Sequence, residues 1–501
     1  MKNALQNSKV TEMNDIQLIG VVGAGTMGMG ICEVAAANGH KVQVYDVNQA
    51  FAGQAHEALQ ARLKKRVLRG KITAEQAGQI SRSIRVVSEL DALKVCDLVV
   101  EAVIEDLAVK QQLFVKLEKL LSEEALLATN TSSISVSAIA AALDDPQRLF
   151  GLHFFNPAPV MKLVEVIAGV ETNPKYIEQA VKLCRSWGKK PVRAQSSPGF
   201  IVNRVARPFY GEALKIKQEQ LASVEHIDAV MTEAAGFRMG PFELMDLIGI
   251  DVNYAVSQTV YQAMFNDPRF KPSLIQSEMV HANKLGKKTG KGFYDHADGA
   301  VRPKPEYQYS EAQFDQLIVP EELTYLSVLF SEFEYDQRKW QGDLVIISGC
   351  QILMTDGQTA RQHEAQSGQP TCLVDVSIDF RKAKTVNLAF GPMVNEFMQH
   401  RIIAMLNHMG KQVLVTDDQP GMIAMRTMAM LINEAADTVF NGVCGPNEVD
   451  LAMRYGVNYP KGLLALGAEL GWDHVVNTLQ HLQRWFGDDR YRLSPYIRNQ
   501  L

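Results

Sequence analysis

Between residues 14 and about 196, short unbroken apolar runs alternate with longer segments of helical spacing. Residues 16–22 have the length and residue types of a buried parallel strand. The small-residue stretch 31–38 reads as a helix that stops at Gly39. A second strand spans 41–45 and ends at Asp46, and two amphipathic helices follow over about 50–70 and 73–81. Further strand-like runs lie at 84–87, 98–102, 126–129, 150–154 and 163–167. This alternation predicts an α/β Rossmann-type doubly wound sheet over 14–196.

At Ser197-Pro198-Gly199 the pattern changes. Residues 200–265 are helical in period, with turns at Gly236 and Gly240-Pro241, which predicts an all-α domain over 197–298. Within it, LGKKTGKGFY (285–294) must be a loop, either a surface hairpin or a phosphate or carboxylate contact. The C-terminal third repeats this region at an offset of 222. SPGFIVNR (197–204) meets QPGMIAMR (419–426), Glu212 meets Glu434, Asp228 meets Asp450, and Asp251 meets Asp473. So about 180–270 recurs as about 402–491, and a second, degenerate copy of the all-α domain is expected over 394–501. Met425 replaces Asn203 there, so the second copy reads as structural, packed on the first. Residues 299–393 read as a Pro-bearing linker (Pro303, Pro305, Pro320) and a degenerate α/β segment with strands near 343–347 and 372–376.

Length and charge narrow the class. A chain of 501 residues holds two to four domains. Net charge −5 argues against nucleic acid as the main partner. Six cysteines form no C-x-x-C pair, as in a reduced, cytoplasmic protein. Residues 1–15 lack an apolar signal core, no run approaches the roughly 18 apolar residues of a spanning helix, and no metal or membrane partner is expected.

The first chemistry lies between strand and helix, in Gly23-Ala24-Gly25-Thr26-Met27-Gly28. Gly23 makes the tight turn, Gly25 lets a pyrophosphate approach the backbone, and Gly28 lets helix and strand pack closely. Thr26 and Met27 open the helix, whose free N–H groups suit phosphates. Asp46, 18 residues past Gly28, can accept both ribose hydroxyls, and no Arg or Lys follows at Val47 or Asn48 to pair a 2′-phosphate. The cofactor is therefore read as NAD rather than NADP. The second chemistry is His153 near Glu165, a carboxylate inside an apolar strand that should have a partner. Either residue alone is more often a satisfied core His or an edge-strand Glu. Together, downstream of a nucleotide loop, they read as an oriented proton acceptor. The basic run Lys64, Lys65, Arg66 is a solvated helix face or a seat for a phosphorylated substrate tail.

These residues, with VEAVIE (100–105), NTSS (130–133), HFFNP (153–157), PGFIVNR (198–204), GPF (240–242) and KTGKGFY (288–294), resemble the L-3-hydroxyacyl-CoA dehydrogenase family over about 16–296. The resemblance implies that His153 is the general base, Glu165 orients it, and Ser132 and Asn203 hold the substrate oxygen. It places Glu105 and Lys110 at the cofactor and Lys64, Lys65 and Arg66 at the CoA phosphates of an acyl-CoA substrate. Ala58 stands where some members carry a polar side chain for CoA. The layout resembles the long members that oxidise 3-hydroxyadipyl-CoA in phenylacetate degradation. A short-chain 3-hydroxybutyryl-CoA enzyme, a sugar-acid dehydrogenase and a non-catalytic NAD-binding protein stay as alternatives. Single-copy relatives pair through the helical domain, so the second copy could mimic that contact in one chain or leave a homo-oligomer.

Overall fold

The computed structural model describes residues 16–314, 317–319, 325–330, 336–337 and 345–501. The polar stretch 1–15, Pro320 and the first two positions of the strand expected at 343–347 lie outside these. The chain divides into two units, 1–202 with 442–456 and 203–441 with 457–501.

In the first unit the apolar runs become strands β1 (Leu18–Val22), β2 (Lys41–Tyr45), β3 (Ile84–Val86), β4 (Leu98–Glu101), β5 (Leu126–Thr129), β6 (Leu149–Phe154), β7 (Leu163–Ala168) and β8 (Lys190–Gln195). Their order in the sheet is β3-β2-β1-β4-β5-β6-β7-β8. Strands up to β6 pair in parallel, β7 runs antiparallel to β6, and β8 is parallel to β7. This is the expected doubly wound Rossmann-type sheet with two strands added at one edge. Its helices are α1 (Thr26–Ala37), α2 (Gln49–Leu68), α3 (Ala74–Ser83), α4 (Leu107–Leu120), α5 (Val136–Ala140) and α6 (Pro174–Ser186). Asn48 caps α2 by accepting from Phe51 N, and Thr73 with Gln76 forms a capping box on α3. Apolar clusters around Ile19 and Phe150, and around Phe114 and Leu127, fill the two faces of the sheet. Strand β8 (KPVRAQ) is not among the strands the pattern predicts, and its Pro191 is tolerated because the strand lies at the sheet edge.

After the sheet the chain turns helical: α7 (Val202–Val205), α8 (Arg207–Gln218), α9 (Val224–Ala229) running into a π-turn (Val230–Ala234), α10 (Pro241–Ile248), α11 (Ile250–Ala263) and α12 (Leu274–His281). The 285–294 loop folds back on α10. Phe293 N and Tyr294 N donate to the buried Asp246 carboxylate, both at 2.9 Å, so its partner is internal.

A second sheet follows. Its strands are β9 (Leu317–Val319), β10 (Asp336–Gln337), β11 (Val345–Ile347), β12 (Cys350–Met354), β13 (Thr371–Val374), β14 (Thr385–Phe390) and β15 (Gln412–Val415), in the order β10-β9-β11-β12-β13-β14-β15. Helices α13 (Ala360–Ser367) and α14 (Glu396–His408) belong to it. The α/β segment thus runs past 393, where the sequence pattern ended it. Helix α14 reads as the start of the helical copy, yet it is the crossover that joins the parallel strands β14 and β15. The last helices are α15 (Ala424–Phe440), α16 (Pro446–Gly456), α17 (Leu463–Leu470), α18 (Trp472–Phe486) and α19 (Pro495–Arg498).

The offset of 222 reaches further than the sequence identities do. It carries β7 onto β14, α6 onto α14, the start of β8 onto that of β15, and α10 and α11 onto α17 and α18. Pairing register follows: His153 opposes Glu165 in the first sheet, and the β13–β14 register places Asp375 opposite Asn387 in the second.

Within the second unit, α15 is joined to Arg204 at the end of α7 and to α8 by reciprocal buried ion pairs. Arg204 donates to Glu434 at 2.6 Å, and its counterpart Arg426 donates to Glu212, the counterpart of Glu434, at 3.0 Å. Arg269 and Arg490 repeat the exchange, each 3.0 Å from the same two glutamates. Removing one partner leaves uncompensated buried charge. Glu212→Gln should therefore cost roughly 3 kcal/mol or more, read as a lowered denaturation midpoint of the full chain; an unchanged midpoint would show that these pairs do not hold the helices together.

Candidate active site

The glycine loop joins β1 to α1. Gly23 has φ +103°, and a Cβ there would sit 2.4 Å from Ala102 O. A Cβ on Gly28 would meet Gly23 O at 1.8 Å. Gly25 differs, because a Cβ there would meet nothing within 4 Å. Gly25 is also the N-cap of α1, with no side-chain cap and no acid in the first turn. The helix end, with exposed Thr26 and half-buried Met27, thus offers uncapped N–H groups beside open space, which fits a pyrophosphate. At the end of β2, Asp46 accepts from Ala24 N at 2.8 Å and from Asn48 N at 2.9 Å, fixing the carboxylate beside the loop. The neighbouring Val47 is exposed and carries no charge. Together these residues fit NAD.

His153 and Glu165 face each other directly across β6 and β7. The antiparallel reversal of β7 creates this cross-strand pair. His153 Nδ1 lies 2.6 Å from Glu165 Oε2, with the residues 6% and 0% exposed. An ionised carboxylate only accepts, so Nδ1 carries the proton and Nε2 of the neutral ring keeps its lone pair. Ile201 N and Val202 N donate to the other oxygen, Oε1, at 3.1 and 2.9 Å. Phe155 and Phe200 pack beside the imidazole.

Ser132 lies at the end of β5 among groups gathered on Glu105. Thr131 Oγ1, Ser132 N and Ser133 N reach Glu105 Oε1 at 2.6, 2.9 and 3.0 Å, with the Ser132 and Ser133 hydroxyls at 3.3 and 2.9 Å. Burial pushes this carboxyl upward, but the Thr131 hydroxyl, the Lys110 ammonium and the serines outweigh it and hold it below the usual carboxylate range. Lys110 is fully buried, 2.5 Å from Glu101 and 3.3 Å from Glu105. It therefore sets the charge under Glu105 rather than presenting a free ammonium. Glu101, which also accepts from Thr129 Oγ1 at 2.7 Å, was missed as a site-supporting residue; its one signal is a carboxylate ending the apolar strand β4.

The basic run on α2 separates. Lys64 and Lys65 are exposed, whereas Arg66 donates to the buried Glu33 of α1 at 2.6 Å, as Arg62 does. Arg66 is thus committed to tying α2 onto α1, which i,i+4 spacing within α2 does not reveal. Asn203 is the first residue of the second unit, with its carbonyl accepting from Arg207 Nε at 2.8 Å.

In the second sheet, Asp375 and Asn387 occupy the places of His153 and Glu165. Asn387 Nδ2 donates to Asp375 at 3.2 Å, and Asp375 accepts from Ile423 N, Ala424 N and Met425 N at 2.9–3.0 Å. Ile423 and Ala424 correspond to Ile201 and Val202. The backbone-binding carboxylate persists there, and the imidazole does not.

Comparison with known proteins agrees with this geometry. The NAD binding domain of 3-hydroxyacyl-CoA dehydrogenases matches residues 18–197, and their C-terminal domain matches 199–296 and 421–500. A 3-hydroxybutyryl-CoA dehydrogenase reduced Rossmann-fold domain matches 352–420. The chain belongs to the 3-hydroxyacyl-CoA dehydrogenase family and is an NAD-dependent enzyme of that class. It is 43% identical over 486 residues to the 3-hydroxyadipyl-CoA dehydrogenase of Escherichia coli K12, covering 97% of this chain and 98% of that one. A solved Escherichia coli K12 structure described as 3-hydroxybutyryl-CoA dehydrogenase matches at 41% identity and TM-score 0.88, over 97% of this chain and 98% of that chain. The (S)-3-hydroxybutyryl-CoA dehydrogenase of Ralstonia eutropha matches 56% of this chain and 99% of its own, at 36% identity and TM-score 0.55.

The loop geometry separates two glycines. Gly28→Ala forces its methyl into Gly23 O and should unfold or strongly destabilise the nucleotide domain. Gly25→Ala meets open space, so the chain should fold with a near-native melting midpoint while the dissociation constant for NADH, read by fluorescence titration, rises at least about tenfold. Unchanged NADH affinity in Gly25→Ala would remove this loop from the cofactor site.

Proposed function

We propose that this chain oxidises (S)-3-hydroxyadipyl-CoA to 3-oxoadipyl-CoA, with His153 as general base. The observation that carries the chemistry is the 2.6 Å contact between His153 Nδ1 and Glu165, which leaves Nε2 as proton acceptor. His153 takes the 3-hydroxyl proton while C3 loses hydride, so the secondary alcohol becomes a ketone. When bound, NAD supplies the hydride acceptor. Glu165 stabilises the resulting imidazolium, and the Ile201 and Val202 N–H groups keep its carboxylate from turning away. Ser132 and Asn203 donate to the substrate oxygen. Gly23, Gly25, Thr26, Met27 and Gly28 cradle the pyrophosphate, Asp46 takes the adenosine ribose, and Glu105, set by Lys110, lies on the nicotinamide side. Lys64 and Lys65 meet the CoA phosphates, without Arg66.

The six-carbon dicarboxylyl substrate is supported by the name of the Escherichia coli relative, aligned over nearly the whole of both chains. A shorter substrate has one observation in its favour, the description of the solved Escherichia coli structure as a 3-hydroxybutyryl-CoA dehydrogenase. Among the described residues no helix is long and apolar enough to cross a membrane, which accords with work in the cytoplasm. The α8–α15 pairing is an internal counterpart of a subunit contact, and we read the chain as able to act without a second copy.

His153→Gln should lower kcat about 10²- to 10⁴-fold while NADH binding persists; near-normal turnover would remove His153 as the base. For the substrate, NADH oxidation at 340 nm should give a higher kcat/KM with 3-oxoadipyl-CoA than with acetoacetyl-CoA. The reverse order would make the chain a short-chain enzyme.

A further inference from the structure

Five arginines of the second unit are buried: Arg204, Arg207, Arg269, Arg426 and Arg490. Four of them are ion-paired to Glu212 or Glu434, whereas Arg207 has no carboxylate partner among the described residues. Its Nε donates to Asn203 O at 2.8 Å, and its Nη1 reaches Ser257 Oγ at 3.2 Å and Asn253 O at 3.5 Å. Its Nη2 donates to no atom of the described residues. The Tyr210 ring, 5.0 Å from the guanidinium carbon, packs against the group. Burial pushes this guanidinium downward, as expected for a cation that lacks a counter-charge. A buried cation is costly unless an anion joins it.

Arg207 lines a cavity of about 430 Å³ whose walls all belong to the second unit. Charge on these walls is unbalanced. Glu219 is taken by Arg426 at 2.6 Å and Asp488 by Lys215 at 3.0 Å. Arg207 and the exposed Lys271 have no such partner among the described residues. Arg490, also on the walls, gives Nη2 to Glu212 at 3.0 Å, while its buried Nε has no hydrogen-bond partner. That Nη2 lies 3.4 Å from where a Cβ of Gly211 would sit. Gly211 follows Arg207 by one helical turn, about 5.4 Å of rise, so the two guanidinium groups border the same stretch of α8. Helix α12 also begins at the cavity, with Ser273 as its N-cap and no acid in its first turn. Donors from α8, from 271–274 and from Arg490 thus surround a space whose two carboxylates are already committed.

The internal repeat supplies a control. At the positions of Arg207, Tyr210 and Ser257, the second copy has Ala429, Ile432 and Leu479, all fully buried. The corresponding helices α15 and α18 therefore pack with an apolar core at this place, and the fold does not require a cavity lined by cations. The ion-paired Arg204, by contrast, persists as Arg426.

We infer that this cavity is a binding site for a phosphorylated small molecule, its phosphate received by Arg207, Lys271 and the Nε of Arg490. A phosphate presents acceptor oxygens in several directions, which suits donors on three separate chain segments better than the two coplanar oxygens of a carboxylate. The first turn of α12 adds positive potential on the same side. The volume exceeds that of one phosphate and falls within the roughly 300–1,000 Å³ of small-molecule sites, which leaves room for the rest of such a molecule. None of the residues proposed for the oxidation, or for holding NAD and CoA, lines the cavity. The ligand is therefore additional to substrate and cofactor.

The test titrates inorganic phosphate into the full chain by calorimetry, with NADH saturating so that the dinucleotide site is filled. Wild type should bind phosphate saturably. Arg207→Gln should raise the dissociation constant at least about tenfold, and Lys271→Gln should raise it by roughly threefold or more. Lys271 is exposed, so if Arg207→Gln does not fold, Lys271→Gln decides alone. Malonate, a dianion with planar carboxylates, should bind more weakly than phosphate; tighter malonate binding would overturn the phosphate assignment. No saturable binding by wild type, or unchanged affinity in the folded variants, would overturn the site. Loss of binding in Lys64→Gln/Lys65→Gln with retention in Arg207→Gln would place the ion on α2 and overturn it as well.

Discussion

The exchange of buried arginine–glutamate pairs around Glu212 of α8 and Glu434 of α15 constrains the rest of the second unit. Arg204 and Arg269 share Glu434, while Arg426 and Arg490 share Glu212. Buried pairs contribute little net stability over apolar packing, but they penalise every misregistered alternative, because a shifted helix strands several charges at once. The placement of α7, which carries Asn203 and Arg204, and of α8, which carries Glu212, is therefore specified by charge. Asn203, proposed to hold substrate, thus sits next to Arg204 in a segment whose placement these pairs constrain.

The second sheet separates structural from chemical demands at the positions of His153 and Glu165. The turns at 199–202 and 421–424 share unusual backbone: Phe200 and Met422 have φ of 47° and 50°. Each turn leaves N–H groups that need an acceptor. Glu165 meets this in the first half and Asp375 in the second. The acceptor has moved from β7 to the facing strand, and the imidazole has been lost in the move. Backbone capping alone therefore calls for one carboxylate from either strand. The additional presence of His153 opposite Glu165 is what capping does not explain, and it is the part with a use in proton transfer.

Much of this was legible in the sequence, because some signals are local. G-x-G-x-x-G with its strand, helix and Asp46 is a contiguous pattern, and the structure gives Gly23 and Gly28 steric reasons while leaving open space at Gly25. The pairing of His153 with Glu165 was readable as a need for a partner; that need was met 12 residues away across one strand reversal. Other features depend on distant chain. Lys110 looks like an exposed helix cation until Glu101 of β4 is placed under it. Arg66 looks like part of a basic face until Glu33 of α1 claims it. The repeat was visible only where side chains coincide, from about 180 to 270. Upstream of that the strand register is preserved while the residues diverge, since a sheet constrains alternation and burial more than identity.

The C-terminal half also supports the first sheet directly. Helix α16 comes from the second copy in sequence, yet it belongs to the first unit and packs against β7 and β8. Gln195 N of β8 donates to Val443 O, just ahead of α16, at 2.7 Å. In the second unit the corresponding exchange occurs: the π-turn after α9 lies against β14, where Lys384 N donates to Glu233 O and Thr385 Oγ1 to Glu233 Oε2. Each sheet thus receives a helical segment from the other half of the chain. The strand that α16 covers, β7, carries Glu165. Without the second half, β7 and β8 would present an apolar face to water, and the carboxylate that orients His153 would lose the packing that keeps it dry. Helix α16 is in this sense part of the support of the His153–Glu165 pair.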